Sequence, residues 1–231
     1  MSPPCPTPHD IQLWLTPPAH FSFRPDIFSI GFQEIVPLTA QQIAQADPQK
    51  LRLWEKTILQ TFATRPNKKS DYILLRSEQL VGTALLILVR ADLAQAIRKV
   101  EGANKKVSPR TCRPLPTSAD CSLFLYQTGL RGMAGNKGGV AIRMEFYDTS
   151  ICFVTAHLAA GHSNVAERNA DYRTIAEGLR FQKGKTIASH DFIFWAGDFN
   201  YRVELAYEDA VQLAEGDSLA PLLQADQVSG R

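Results

Sequence analysis

The sequence predicts an α/β fold, a mixed sheet with helices covering its outside. Strand-like apolar runs come in pairs, amphipathic helical stretches interleave with those pairs, and polar residues follow the strand ends. Asp26–Gly31 (D-I-F-S-I-G) is a short strand that delivers Glu34 beyond its C-terminal end. Leu51, Trp54, Ile58 and Phe62 recur at helical spacing, so a core-facing helix is expected, stopped before Pro66. Tyr72–Leu75 and Leu80–Val89 read as two strands joined through Arg76–Gln79. Gly139–Phe146 and Ile151–Leu158 make a second pair, turned through Tyr147–Ser150. Asn164 with Glu167 three residues on forms a capping box, opening a helix with Tyr172, Ile175, Ala176 and Leu179 on one face. Phe192–Ala196 reads as a buried strand, followed by two weaker helical segments around Tyr207–Ala214 and Ser218–Ala225.

The 231 residues suffice for one large domain, and 45% hydrophobic against 21% charged content describes an ordinary globular chain with a sizeable core. A net charge of +2 does not imply nucleic-acid binding, so an anion site must be local. The longest apolar run, Leu80–Val89, is interrupted by Gly82 and falls far short of the roughly 20 residues of a membrane helix. M-S-P-P-C-P-T-P has no apolar stretch of a secretory signal, and Cys5, Cys112, Cys121 and Cys152 lack metal-ligand spacing. Reduced thiols in a cytoplasmic protein are therefore expected.

Chemistry concentrates where strands end. F-W-A-G-D-F-N-Y-R (Phe194–Arg202) breaks an apolar run at Gly197 and at once presents Asp198, Asn200 and Arg202. A carboxylate can orient or deprotonate water, an amide can donate to a developing oxyanion, and a guanidinium supplies fixed positive charge. An Asp/Asn turn after a strand is the plain alternative. Glu34 follows the first strand, Glu78 lies between the second and third, and His157 sits near the end of I-C-F-V-T-A-H-L. Ligand sites in open α/β folds gather at strand carboxyl ends, so these residues can converge. A Glu and an Asp with oxygen neighbours suit Mg²⁺. The glycine-rich Thr128–Val140, carrying Arg131 and Lys137, can bring N–H groups and cations to phosphate; a simple hairpin connection is its alternative.

Six segments in order, G-F-Q-E-I-V-P-L, S-E-Q-L-V-G, G-N-K-G-G-V-A-I-R, T-A-H-L-A-A-G, E-R-N-A-D-Y and F-W-A-G-D-F-N-Y-R, resemble the inositol polyphosphate 5-phosphatases, in particular synaptojanin-like and fungal members. That family lies in the Mg²⁺-dependent endonuclease/exonuclease/phosphatase superfamily. The resemblance implies a four-layered α/β sandwich with two central mixed β-sheets flanked by helices (DNase I-like), incomplete over this chain. It also implies removal of the 5-phosphate from phosphoinositides such as phosphatidylinositol 4,5-bisphosphate, peripherally on the cytosolic membrane surface. By motif, Glu34 would hold Mg²⁺, Asp198 would activate the attacking water, and Asn200 would hydrogen-bond the phosphate. His157 would contact the scissile phosphate, oriented by Glu78. Arg131, Asn136, Lys137 and Arg202 would line the substrate site, Arg202 chiefly by fixing neighbouring carboxylates. Leu130, Met133 and His162 would form a membrane-facing rim.

Three departures qualify the match. Family members begin with a strand ending T-W-N-x-N-G, whose first Asn helps hold Mg²⁺, whereas this chain starts at M-S-P-P, just after that point. It stops at Arg231, before the family's P-T-Y-K and R-x-P-A-W-x-D-R segments, which grip the 4-phosphate, and before a catalytic Asp-His pair. A single partial catalytic domain over residues 1–231, truncated at both ends and inactive or weak as such, is expected. Val107–Gln127 interrupts the match as an insertion, poorly ordered over its proline-containing part. Val-Ser opens both this insertion and the final V-S-G-R, as codons at a splice donor would, so both read as translated introns; a natural loop insertion is the alternative. Sequencing of spliced transcripts decides between them. Two other functions stay open: a superfamily nuclease, and a catalytically dead fragment that binds phosphoinositide or a partner.

Overall fold

The central strands carry apolar side chains on both of their faces, so each sheet packs on two sides, and this builds four layers. The computed structural model describes residues 8–15, 24–37, 47–65, 68, 70–107, 137–216 and 219–228. In chain order the elements are α1 (Pro8–Leu15), β1 (Ile27–Phe32), α2 (Pro48–Thr64), β2 (Tyr72–Leu80), β3 (Thr83–Arg90), β4 (Ile97–Lys106), β5 (Gly138–Phe146), β6 (Thr149–His157), α3 (Val165–Gly178), β7 (Phe192–Asp198), α4 (Tyr207–Glu215) and α5 (Leu219–Gln224). Sheet A has the order β1-β3-β2 and sheet B the order β4-β5-β6-β7.

β3 shows how a continuous apolar run serves two layers. Ala84, Leu86 and Leu88 pack outward with Ile30, Leu51, Ile58 and Phe62 under α1 and α2. Leu85 and Ile87 point the other way, onto Val140, Ile142, Met144, Ile151 and Phe153 of sheet B. The outer face of sheet B, with Cys152, Val154 and Ala156, packs on Ile175 of α3 and on Leu179 just after it. The expected four-layered sandwich is therefore present. Sheet B is mixed, its β6 and β7 running parallel; the described strands of sheet A are all antiparallel.

α2 carries the expected helical stripe, with Asp47 capping Gln49 N at 2.8 Å and Pro48 in the first turn, where its missing N–H costs nothing. Other expectations need correction. The β2–β3 turn lies at Val81 and Gly82, not at 76–79, so Glu78 is a strand residue opposite Leu85. β4 is an additional strand that its mixed, lysine-rich sequence did not announce. Asn164 opens α3 without capping it; its amide instead donates to Ala160 O at 2.7 Å. α3 buries Val165, Arg168, Asp171 and Ile175, whereas Tyr172 is exposed and lies beside Trp195. β7 is an edge strand, not a buried one: β6 pairs along one side, and Phe192 and Phe194 are 56% and 53% exposed. The expected insertion beyond Val107, the glycine-rich loop up to Asn136 with Leu130, Arg131 and Met133, Cys5, Cys112 and Cys121 all lie outside the described residues.

Candidate active site

Strand register, rather than any local motif, assembles the polar cluster. His157, the last residue of β6, is level with Gly138 of β5 and with Asp198 of β7. Lys137 immediately precedes β5, so Lys137, His157 and Asp198 occupy neighbouring strand ends of sheet B. Gly197 permits this close pairing. A Cβ there would sit 2.2 Å from Ala156 O, and its φ of 132° disfavours other residues.

Glu34 arrives from the other sheet. A Cβ on Gly31 would lie 2.7 Å from Thr155 Oγ1, so the absent side chain lets β1 approach β6. Gln33 Nε2 then donates to the same Thr155 Oγ1 at 2.9 Å, clamping the two sheets together one residue before Glu34. Glu34 itself adopts φ 58° and Asn200 φ 57°. Left-handed backbone at non-glycine residues costs about 1–3 kcal/mol each and persists only where the surroundings enforce it.

These elements bring Glu34 Oε1 to 3.9 Å and Asp198 Oδ2 to 3.5 Å from His157 Nε2, which also accepts a hydrogen bond from the Lys137 ammonium. Burial pushes the His157 imidazole below its ordinary value, and Lys137 adds to that, outweighing Asp198 and Glu34. Burial also lowers Lys137, against the pull of Asp198, Glu34 and Asp171. Asp171, buried on α3, accepts from Ala159 N at 3.0 Å, and burial raises its pKa. The Asp198 backbone carbonyl accepts from Leu158 N at 3.1 Å, and its Oδ1 from Asn200 N at 3.0 Å.

Four predicted site residues therefore meet at one point: Glu34, Lys137, His157 and Asp198. Lys137 is buried against His157 rather than offered to solvent. Asn200 lies directly behind Asp198, donating to Leu158 O at 3.0 Å and accepting from Arg202 Nη2 at 2.7 Å. Arg202 thus grips the carboxamide and backbone carbonyl of Asn200 rather than a neighbouring carboxylate. Glu78 is the clearest correction. It points between the sheets, bonded to Arg76 Nη2 and Asn104 Nδ2, both at 3.2 Å, over Gly102. Its hydrogen-bond partners are thus Arg76 and Asn104 rather than His157. His162 is exposed on the loop that follows His157. Sequence reasoning missed Gln33, Arg168 and Asp171 as site residues; the quoted E-R-N-A-D-Y segment was the available signal for the last two.

Glu34 and Asp198 keep about half their side-chain surface open, 59% and 49%. Among the described residues no group of three or more His, Cys, Asp or Glu is placed to hold a metal alone. Mg²⁺ retains waters and takes one or two carboxylates plus substrate phosphate, so two half-open carboxylates fit such an ion. No helix among the described residues is long and apolar enough to cross a membrane.

The family described as Endonuclease/Exonuclease/phosphatase family 2 matches residues 5–231. The chain is 45% identical over 204 residues to inositol-1,4,5-trisphosphate 5-phosphatase 1 of Schizosaccharomyces pombe, covering 88% of this chain and 17% of that protein. It is 41% identical over 203 residues to synaptojanin-1 of Homo sapiens, covering 88% of this chain and 11% of the relative. Among solved structures it is similar to the inositol polyphosphate 5-phosphatase domain of SPsynaptojanin in complex with inositol (1,4)-bisphosphate and calcium ion. The TM-score is 0.70 at 40% identity, over 89% of this chain and 52% of that one. The chain thus spans about half of the solved domain and less than a fifth of the two full-length relatives.

Proposed function

The chain belongs to endonuclease/exonuclease/phosphatase family 2, among its inositol polyphosphate 5-phosphatases, and from that membership we propose that it carries the catalytic centre of a phosphoinositide 5-phosphatase. The substrate class is a phosphatidylinositol bisphosphate or its soluble head group, attacked at the 5-phosphate. The observation that carries the reading is the convergence of Glu34 and Asp198 on His157 Nε2 from two different sheets.

Glu34 is the residue to hold Mg²⁺, with Asp198 beside it. Bound there, the ion would neutralise phosphate charge and polarise the phosphorus–oxygen bonds. Asp198 orients the attacking water, its Oδ1 fixed by Asn200 N and its Oδ2 facing the cluster. Lys137 is held against His157, and its ammonium would supply positive charge beside the scissile phosphate. Asn200 supports this by tying the Asp198 turn to Leu158 O. Arg131 and Asn136 remain proposed phosphate contacts, and Leu130, Met133 and His162 a proposed lipid-facing rim, which would place the enzyme peripherally at a cytosolic membrane surface.

Phosphate release from phosphatidylinositol 4,5-bisphosphate vesicles and from soluble inositol 1,4,5-trisphosphate, with Mg²⁺ and with chelator, tests the proposal. Mg²⁺-dependent release specific to the 5-position is expected, weak from a chain that spans about half of the solved domain. Nicking of plasmid DNA without phosphate release would refute it in favour of a nuclease. Vesicle binding without turnover would refute it in favour of a binding module.

A further inference from the structure

The E-R-N-A-D-Y segment is not absorbed by the chemistry above, yet it forms the buried face of α3. Arg168 is fully buried, and among the described residues the hydrogen-bond acceptors of its guanidinium are all neutral: Ala159 O at 3.2 Å, Gly161 O at 2.6 Å, His162 O at 3.3 Å and Gln227 Oε1 at 2.6 Å. Three of these are main-chain carbonyls of the loop that leaves His157. Asp171, one turn further along α3, takes the N–H of Ala159 in that same loop. One helix therefore supplies both the donors and the acceptor that set the path of residues 159–162.

The same helix reaches the second loop. Asn169 Oδ1 accepts from the Tyr201 hydroxyl, and the Arg168 guanidinium stacks over the Tyr201 ring, 5.2 Å from its centroid. Gln227 joins the two loops directly. Its Oε1 accepts from Arg202 N at 2.9 Å as well as from Arg168, and its Nε2 donates to His162 O at 3.0 Å and Glu204 Oε1 at 3.1 Å. Gln227 is itself buried and held by its own N–H, which donates to Arg202 O at 3.0 Å. All four polar valences of one carboxamide are thus spent, on Arg168 of α3, His162 of the His157 loop, Arg202 of the Asp198–Arg202 loop and Glu204 just beyond it.

We infer that Arg168 and Gln227 are positioning residues, a splint that holds the His157 loop and the Asp198–Asn200 loop in one fixed relation and so sets the spacing of water, scissile phosphate and the His162 rim. The inference rests on the 5-phosphatase reading for its effect on catalysis. Misplacement of reacting groups by about 1 Å can cost about 100-fold in rate. Gln227→Leu severs the link between the loops while leaving α3 and both sheets intact. Gln227→Glu keeps the acceptor for Arg168 and Arg202 N but sets an acceptor against His162 O and Glu204; adding Glu204→Gln restores a donor there.

The full chain and these variants are compared in kcat and KM for soluble inositol 1,4,5-trisphosphate and in hydrogen exchange. Expected for Gln227→Leu are a kcat lower by about 10- to 100-fold, an unchanged KM, and faster exchange in residues 158–164 and 199–204 together, with strand amides unaffected. Glu204→Gln should recover most of what Gln227→Glu loses. Unchanged kcat in an active enzyme, exchange rising in one loop only, or a loss explained by a smaller folded fraction would overturn the splint. Absence of turnover in the unmodified chain would count against the 5-phosphatase reading, while the exchange comparison would still decide whether the loops are coupled.

Discussion

Gly31→Ala is the sharpest test of how the two sheets meet. The new Cβ would lie 2.7 Å from Thr155 Oγ1 and 3.1 Å from Thr155 Cβ. Thr155 is fully buried and its hydroxyl is bonded to Gln33, so rotating it away would break that clamp. Replacing glycine in an ordinary extended conformation would otherwise stabilise by about 0.4–1 kcal/mol through the unfolded chain. Overpacking a rigid contact costs about 1–3 kcal/mol. The steric effect wins, and a net loss of about 1–2 kcal/mol is expected by urea unfolding. A double variant with Thr155→Ala should destabilise less than the sum of its parts, because the two residues share the contact. A Gly31→Ala protein as stable as the original would show that the sheets do not approach as described. The same variant should lower turnover, since Glu34 rides three residues beyond Gly31.

Further outcomes follow from the same geometry. Asp198→Asn should reduce phosphate release by about 100-fold or more while unfolding stability changes little, because only its Oδ1 contact to Asn200 N is structural. Glu34→Gln should raise the Mg²⁺ concentration needed for half-maximal release, read by metal titration. The Ser150 hydroxyl and N–H hold the Asp191 carboxyl below its ordinary value. That stability is present above the unfolded value of about 3.9 and fades as pH falls through the lower folded value. Asp191→Asn should therefore be less stable at neutral pH, with the gap closing below about pH 4 in urea titrations. Burial pushes the Cys152 thiol up to about 12, so iodoacetamide at mild alkaline pH should leave it unmodified until the chain unfolds, as peptide mass spectrometry would show.

Much of the architecture was legible because period-2 and period-3.6 patterns are local properties of the chain. The β5–β6 pair and the α2 stripe were placed to within a few residues, and Glu34, His157 and Asp198 were identified as strand-end residues. Glu78 was misplaced because the β2–β3 turn has no Asn-Gly or Asp-Gly signal; Val81 enters it at φ 53°. β4 is not legible because its Arg, Lys, Glu and Asn residues mask the alternation and its apolar residues are only partly buried. β7 was read as buried from its aromatics, since composition cannot say whether a neighbour covers them.

By itself, then, the order of residues determined which segments extend, which coil, and which polar groups trail the strands, since each depends on neighbours a few positions away. Tertiary structure alone decided that the Lys137 ammonium is buried on His157, that Arg202 braces Asn200, and that Arg168 and Gln227 tie two loops together. Lys137 meets His157 through strand register, across 20 residues of chain, and Arg168 meets Gln227 across 59, so neither pairing follows from near neighbours; even the short-range Arg202–Asn200 contact depends on the path the Asp198–Arg202 loop takes. A shift of one residue in register would send each side chain to the opposite face.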